Sequence, residues 1–165
     1  MKYYERDKAR FASYVKVAFV RNPWDRLVSA FFYLKNLDEY SSGRKFFDEI
    51  IGQKTTFREF VLDLNEPSFR KKVLGWQHFC MQTVFLQNSE KVIDLDFLGK
   101  YENLEMDYEL LKKMVNPSAS SLSIVNSSSR TNCIECYDVE MARIVERIYL
   151  TDVKNFGYSR PLELC

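Results

Sequence analysis

The stretch Val15–Asn36, VKVAFVRNPWDRLVSAFFYLKN, constrains this chain more than any other. It opens on Val15-Lys16-Val17-Ala18-Phe19-Val20, mostly β-branched, aromatic and small apolar residues, which predicts a largely buried strand. Arg21-Asn22-Pro23 punctuates it. A residue before proline is pushed out of the α region, so Asn22 is expected to be extended. Asparagine is also a favoured N-cap, and proline suits the first helical position. Asp25 falls in the first turn, where the helix dipole favours an acid. Trp24, Leu27, Val28, Phe31 and Leu34 then recur at i, i+3, i+4, i+7 and i+10, which makes one apolar helix face. Asn22, Arg26, Ser29 and Tyr33 fall on a different face. The expectation is strand, tight turn, helix, with Arg21 at the strand's carboxyl end. That is where ligands bind in open α/β sheets.

The remaining segments extend the pattern. Asp7–Tyr14 reads as a short helix or an approach segment. Phe46, Phe47, Ile50 and Ile51 make a short amphipathic helix that ends near Gly52. Thr56-Phe57-Arg58-Glu59 has the hydroxyl and carboxylate spacing of a capping box. Phe57, Phe60, Val61 and Leu64 carry the helix that follows, and Asn65-Glu66-Pro67 stops it. Phe69–Trp76 is basic and partly helical, and Thr83–Leu86 is an apolar run. Val92–Phe97 reads as a second strand. Tyr101-Glu102-Asn103 opens a helix bearing Leu104, Tyr108, Leu111 and Val115. Ser118–Asn132 is a serine-rich loop. Val139–Leu150 closes the list with Met141, Ile144, Val145, Ile148 and Tyr149 on one face. Strands separated by helices predict an α/β fold with a small parallel sheet. Two convincing strands are few for that class, so a missing strand is expected.

At 165 residues a single domain over 1–165 is expected. With 24 Lys and Arg against 23 Asp and Glu, the net charge of +1 offers no argument for nucleic acid or a membrane surface as partner. No apolar run approaches the ~20 residues of a membrane helix. The charged start, Met1–Lys8, has no apolar signal core, so a cytoplasmic protein is expected. Cys133-x-x-Cys136 has ligand-like spacing, and His78-x-Cys80 would complete a zinc site. The two pairs are far apart and one is mixed, so reduced thiols and no metal are expected.

For Arg21, two readings stand on local chemistry: a surface arginine paired with Asp25 or a nearby acid, or an anion clamp beside a helix N-terminus. Ser29 lies six residues beyond Pro23, about 9 Å down the helix at ~1.5 Å per residue. It fits a ligand site only if the ligand lies alongside the helix. Otherwise it is a helical serine bonded to its own backbone.

Phe19-Val20-Arg21-Asn22-Pro23-Trp24-Asp25-Arg26-Leu27-Val28-Ser29-Ala30-Phe31 resembles the 3′-phosphate-binding motif of the family 2, carbohydrate-type sulfotransferases. His78-x-x-x-Gln82, Asp96–Leu104, Asn126-x-Ser128 with Arg130, and Tyr149-x-x-Asp152 through Phe156-Gly157-Tyr158 resemble the family's later segments in the same order. The resemblance runs from about Phe19 to Tyr158. It implies a P-loop-like sulfotransferase fold. It also implies that 3′-phosphoadenosine 5′-phosphosulfate is the co-substrate and a carbohydrate hydroxyl the acceptor. By match, Arg21 and Ser29 hold the 3′-phosphate and Arg130 is a second anion contact. His78, the only histidine, is the only imidazole available as catalytic base. Its alternative is a packed or loop histidine. Arg26 is expected to partner a neighbouring acid or make a secondary phosphate contact, and Glu102 to pair with a basic residue or cap a helix.

The chain also departs from the family. Members normally begin with another strand and a Lys/Gly/Thr/Ser loop that cradles the 5′-phosphosulfate. Nothing in Met1–Tyr14 resembles that loop, and no glycine precedes Gly43. Two expectations follow: a sulfotransferase whose first strand lies outside this sequence, or a truncated, inactive homologue that keeps a nucleotide 3′-phosphate site or serves as an interaction domain. For the compartment, the resemblance implies a Golgi lumen for anchored eukaryotic relatives and soluble or peripheral placement for bacterial ones.

Overall fold

A computed structural model describes residues 7–53, 55–122 and 133–161. In chain order the elements are α1 (Lys8–Ser13), β1 (Val17–Val20), α2 (Pro23–Lys35), α3 (Ser42–Phe46) and a π-helical turn (Phe47–Ile51). Next come α4 (Phe57–Asp63), α5 (Pro67–Leu74), α6 (Thr83–Leu86), β2 (Phe97–Lys100) and a 3-10 turn (Tyr101–Asn103). The run ends with α7 (Leu104–Val115), a 3-10 turn (Cys133–Cys136), α8 (Val139–Ile148) and α9 (Leu150–Asn155). The fold is α/β with a small parallel sheet, as expected. It divides into two compact units, each drawn from two stretches of chain: Met1–Asn22 with Gln82–Ser129, and Pro23–Met81 with Arg130–Cys165.

The first unit is built on the sheet. β1 and β2 pair in parallel, Val17 with Phe97 through Val20 with Lys100. The second strand starts later than the Val92–Phe97 expectation. Asp94 and Asp96 are occupied by Lys16: the Lys16 N–H donates to Asp96 Oδ2 at 2.7 Å and its ammonium donates to Asp94 Oδ2 at 2.9 Å. The Asp96 and Phe97 amides donate back to the Lys16 carbonyl at 2.9 and 3.2 Å. With the acids held this way the chain bends at Asp96, and the regular ladder begins only at Phe97. Ile93 instead makes an isolated antiparallel bridge with Gln87. The expected burial of β1 is corrected too. Val17 and Phe19 are more than a third exposed, and only Val20 is buried. Gly99 lies opposite Phe19, and a Cβ there would overlap the Phe19 ring. On α7, Leu104, Tyr108 and Leu111 are half-buried, and no residue of the helix is fully so.

The second unit holds the apolar core. Helix α2 buries Trp24, Leu27, Val28, Phe31 and Leu34, the face expected from its periodicity, and also Pro23 and Ala30. Phe31 is its hub. Its ring lies 5.1–5.4 Å from those of Phe32, Phe47, Phe57 and Phe60, mostly edge to face. Helix α4 starts at the expected capping box. Thr56 Oγ1 accepts the Glu59 N–H, and Glu59 accepts the Thr56 N–H. Pro67 opens α5 at its first position, with Glu66 as N-cap. The last expected helix ends at Ile148 rather than Leu150, a separate helix follows over Leu150–Asn155, and α8 buries Met141, Ala142, Ile144 and Val145. Arg44 Nη1 donates to the carbonyls of Lys35 and Leu37, both at 3.0 Å, and so satisfies the end of α2. Trp24 and Tyr137 keep partners for their polar tips, whereas Trp76 Nε1 is buried with no hydrogen-bond partner among the described residues. Trp24 Nε1 donates to Ala142 O, and Tyr137 Oη donates to Trp24 O.

Candidate functional site

In the first unit, Arg21 directly follows β1 and its backbone is held twice by one side chain. The Arg21 N–H donates to Gln82 Oε1 at 2.9 Å, and Gln82 Nε2 donates to the Arg21 carbonyl at 2.8 Å. These two bonds settle the amide's orientation, because an N–H needs the oxygen and a carbonyl needs the nitrogen. Gln82 is buried. The next amide, Asn22 N–H, donates to Glu102 Oε1 at 2.5 Å. The Arg21 guanidinium lies 4.5 Å from the centroid of the Tyr101 ring, a cation–π contact. Tyr101 and Glu102 follow β2 immediately, so the ends of both strands converge on Arg21. The Lys100 N–H at the end of β2 donates to Asp107 Oδ2 at 2.6 Å, which ties α7 to the strand.

In the second unit, Ser29 stands in the second turn of α2, partly exposed. Arg26, one turn earlier, turns to the 77–80 loop: Nη1 donates to the Cys80 carbonyl at 2.7 Å and Nη2 to the Gln77 carbonyl at 3.3 Å. Loop carbonyls thus engage Arg26 where an acid or a phosphate contact was expected. Tyr149 Oη holds the same loop by donating to Phe79 O at 2.6 Å. Burial raises the Tyr149 pKa well above the ordinary phenol value, so it stays a donor. Cys80 is also pushed up by burial, which keeps it a thiol rather than a nucleophilic thiolate. Asp152 is fully buried nearby, and its charge acts on both Cys80 and Tyr149.

His78 sits on this loop, half-buried. Its ring centroid is 5.6 Å from that of Tyr33 and 6.4 Å from that of Trp76. Burial, and secondarily the Arg26 charge, lower its pKa, so the imidazole is neutral at pH 7. Its Nδ1 is buried with no hydrogen-bond partner among the described residues. Arg130, like Asn126 and Ser128, lies outside the described residues. Among the described residues no group of three or more His, Cys, Asp or Glu is arranged to hold a metal. None of the described helices is long and apolar enough to cross a membrane.

The structure therefore brings Arg21 together with Gln82, Tyr101 and Glu102, and His78 together with Arg26, Cys80 and Tyr33. Arg21 and Ser29 fall in different units. The contacts of Gln82 and Tyr101 with Arg21 were not foreseen from sequence. The motif His78-x-x-x-Gln82 marks Gln82, but nothing local says that its partner is 61 residues upstream.

A model of the sulfotransferase family matches residues 1–159. The chain belongs to that family, in its family 2, carbohydrate-type branch. It is 26% identical over 92% of its length to carbohydrate sulfotransferase 11 of Rattus norvegicus, covering 49% of that protein. To carbohydrate sulfotransferase 8 of Mus musculus it is 22% identical over 92% of its length, covering 42%. To an uncharacterized protein of Archaeoglobus fulgidus it is 31% identical over 71% of its length, covering 81%. The chain spans about half the length of the carbohydrate sulfotransferases it matches. No solved structure matches it.

Proposed function

We propose that this chain carries the nucleotide site of a sulfotransferase that moves a sulfuryl group from 3′-phosphoadenosine 5′-phosphosulfate to a hydroxyl of a carbohydrate acceptor. Family membership and the names of the matched relatives support the reaction class. The observation that carries the reading to particular atoms is Arg21, presented at the end of β1 on a backbone held by Gln82. A planar guanidinium with several donors suits a phosphate better than any other side chain. In this reading Arg21 and Ser29 hold the 3′-phosphate, Arg130 adds a second anion contact, and the frame is P-loop-like.

The chemistry follows that of phosphoryl transfer. The acceptor oxygen attacks sulfur in line, and the bond from sulfur to the 5′-phosphate oxygen breaks. The nucleotide leaves as 3′-phosphoadenosine 5′-phosphate, and the acceptor proton passes to a base. His78 is the imidazole of this reading, and its neutral form can accept that proton. No metal enters it.

Calorimetric binding of 3′-phosphoadenosine 5′-phosphate tests the site. Arg21→Ala is expected to weaken binding about 10- to 100-fold, the worth of charged hydrogen bonds. Wild-type protein that binds none of the nucleotide would sink the nucleotide reading. Binding untouched by Arg21→Ala would sink Arg21's part in it.

A second reading, a homologue that holds the nucleotide without transferring sulfate, is favoured by the packing of His78 against Tyr33 and Trp76. His78→Gln separates the two. Loss of transfer with nucleotide binding intact supports the base. Equal transfer by both proteins assigns His78 to packing. Nucleotide binding by wild type with no transfer supports the second reading.

A further inference from the structure

We infer that Gln82 is a positioning residue for Arg21: its buried side-chain amide takes the place of a neighbouring strand at the end of β1 and sets the direction in which the guanidinium leaves the sheet. The inference rests on the nucleotide reading of Arg21. The β1–β2 ladder ends at Val20 opposite Lys100. One residue further on, the two Gln82 bonds of 2.9 and 2.8 Å engage both the N–H and the carbonyl of Arg21. That is the two-point exchange of a hydrogen-bonded antiparallel pair, made here by a side chain. The Asn22 N–H is held by Glu102. Three backbone groups in succession, on both sides of the Arg21 Cα, are therefore fixed before any ligand arrives. The Tyr101 ring then limits the guanidinium itself. Holding the backbone leaves only side-chain torsions to be ordered when an anion binds, and this lowers the entropic cost of binding.

The side chain at position 82 must present one acceptor and one donor side by side. An amide does so. An ionised carboxylate has acceptors only, whereas a protonated carboxylic acid again has one of each. Gln82→Glu is therefore a switchable version of the contact. Ionised, it sets a carboxylate oxygen against the Arg21 carbonyl oxygen. Protonated, it restores the wild-type pattern. Gln82 is 8% exposed, so burial favours the protonated form of the replacement.

Binding of 3′-phosphoadenosine 5′-phosphate is measured by calorimetry at pH 8 and pH 5 for wild type, Gln82→Glu, Gln82→Met and Arg21→Ala. Circular dichroism confirms folding. The wild-type curve supplies the ligand's own pH dependence, and each variant is read as a ratio to it. Expected at pH 8 is binding about 10-fold weaker for Gln82→Glu and for Gln82→Met. At pH 5 Gln82→Glu recovers to within about 3-fold of wild type and Gln82→Met does not. A residue that merely filled space would give no such recovery. The inference is overturned if Gln82→Glu matches wild type at both pH values, or stays equally weak at both. Should Gln82→Met fail to fold, the two pH values of Gln82→Glu decide alone. Arg21→Ala separates the levels. If it binds like wild type, or if wild type binds nothing, the nucleotide reading fails and takes the inference with it. If Arg21→Ala loses binding while the Gln82 variants do not, only the inference fails.

Discussion

The two units of this chain are held by different physics. The second, Pro23–Met81 with Arg130–Cys165, contains the whole apolar cluster, from Trp24 and Phe31 through Phe60 and Phe79 to Tyr149 and Val153. The first has little of that kind. Among its described residues, Val20, Gln82 and Thr83 are the buried side chains apart from glycine, and two of the three are polar. Its order comes from side chains bonded to backbone: Gln82 to Arg21, Glu102 to Asn22, Asp107 to Lys100, Asp96 to Lys16. Apolar burial is strong and non-directional, so it suits a frame. Hydrogen bonds add little net stability but fix geometry, so they suit the placement of one guanidinium. In this family member the residue proposed to read the nucleotide stands in the unit organised by direction rather than by burial.

The contrast can be broken where it is strongest. Phe31→Ala removes the hub of the aromatic cluster and is expected to cost about 3–5 kcal/mol in denaturant unfolding. A loss under about 1.5 kcal/mol would mean that the cluster does not carry the second unit. Arg26→Met tests a polar contact inside the apolar unit. It deletes two charged bonds to the loop carbonyls of Gln77 and Cys80 and is expected to cost about 1.5–3 kcal/mol. Cys80 should also react faster with a thiol reagent as the loop loosens. Unchanged stability and unchanged Cys80 reactivity would show that the loop is held by burial alone.

The smallest effect is a pH dependence. Burial, then Arg26, holds the His78 pKa below its ordinary 6.5. Below that pH the unfolded chain takes up a proton that the folded one refuses, so the unfolded state binds more protons. The contribution is fully present above 6.5 and is lost as pH falls toward the folded value. Unfolding midpoints at pH 7.5 and 5.5 should therefore fall for wild type, and fall less for His78→Asn. Equal slopes in the two proteins would remove His78 as their source.

Much of the second unit was legible in the sequence. The face of α2 from Trp24 to Leu34, the Thr56–Glu59 box and the Met141–Val145 face all depend on spacings of three or four residues, and helical geometry makes those contacts local. The strands were harder. Val15–Val20 reads as buried by composition, yet Val17 and Phe19 are partly exposed. A strand's burial depends on what covers its two faces, and a local window holds no record of that. Val92–Phe97 alternates as a strand should, but Lys16, far upstream, claims Asp94 and Asp96 and defers the ladder to Phe97. Of the candidate site residues, Arg21 and Ser29 were visible through a motif. The partners that hold Arg21 were not.

By itself, the sequence determined the strand–turn–helix, its family and the identity of the arginine that follows the strand. Those follow from short-range periodicity, from proline's restriction of its neighbour and from a motif read over adjacent positions. Only the tertiary structure decided what Arg21 rests on. Gln82 and Glu102 lie 61 and 80 residues from their partners, and Glu102 arrives there because it follows β2, which returns parallel beside β1. A hydrogen bond requires its two atoms within about 3 Å and aligned. No property of either residue's own neighbourhood in the chain specifies that meeting; the crossover does.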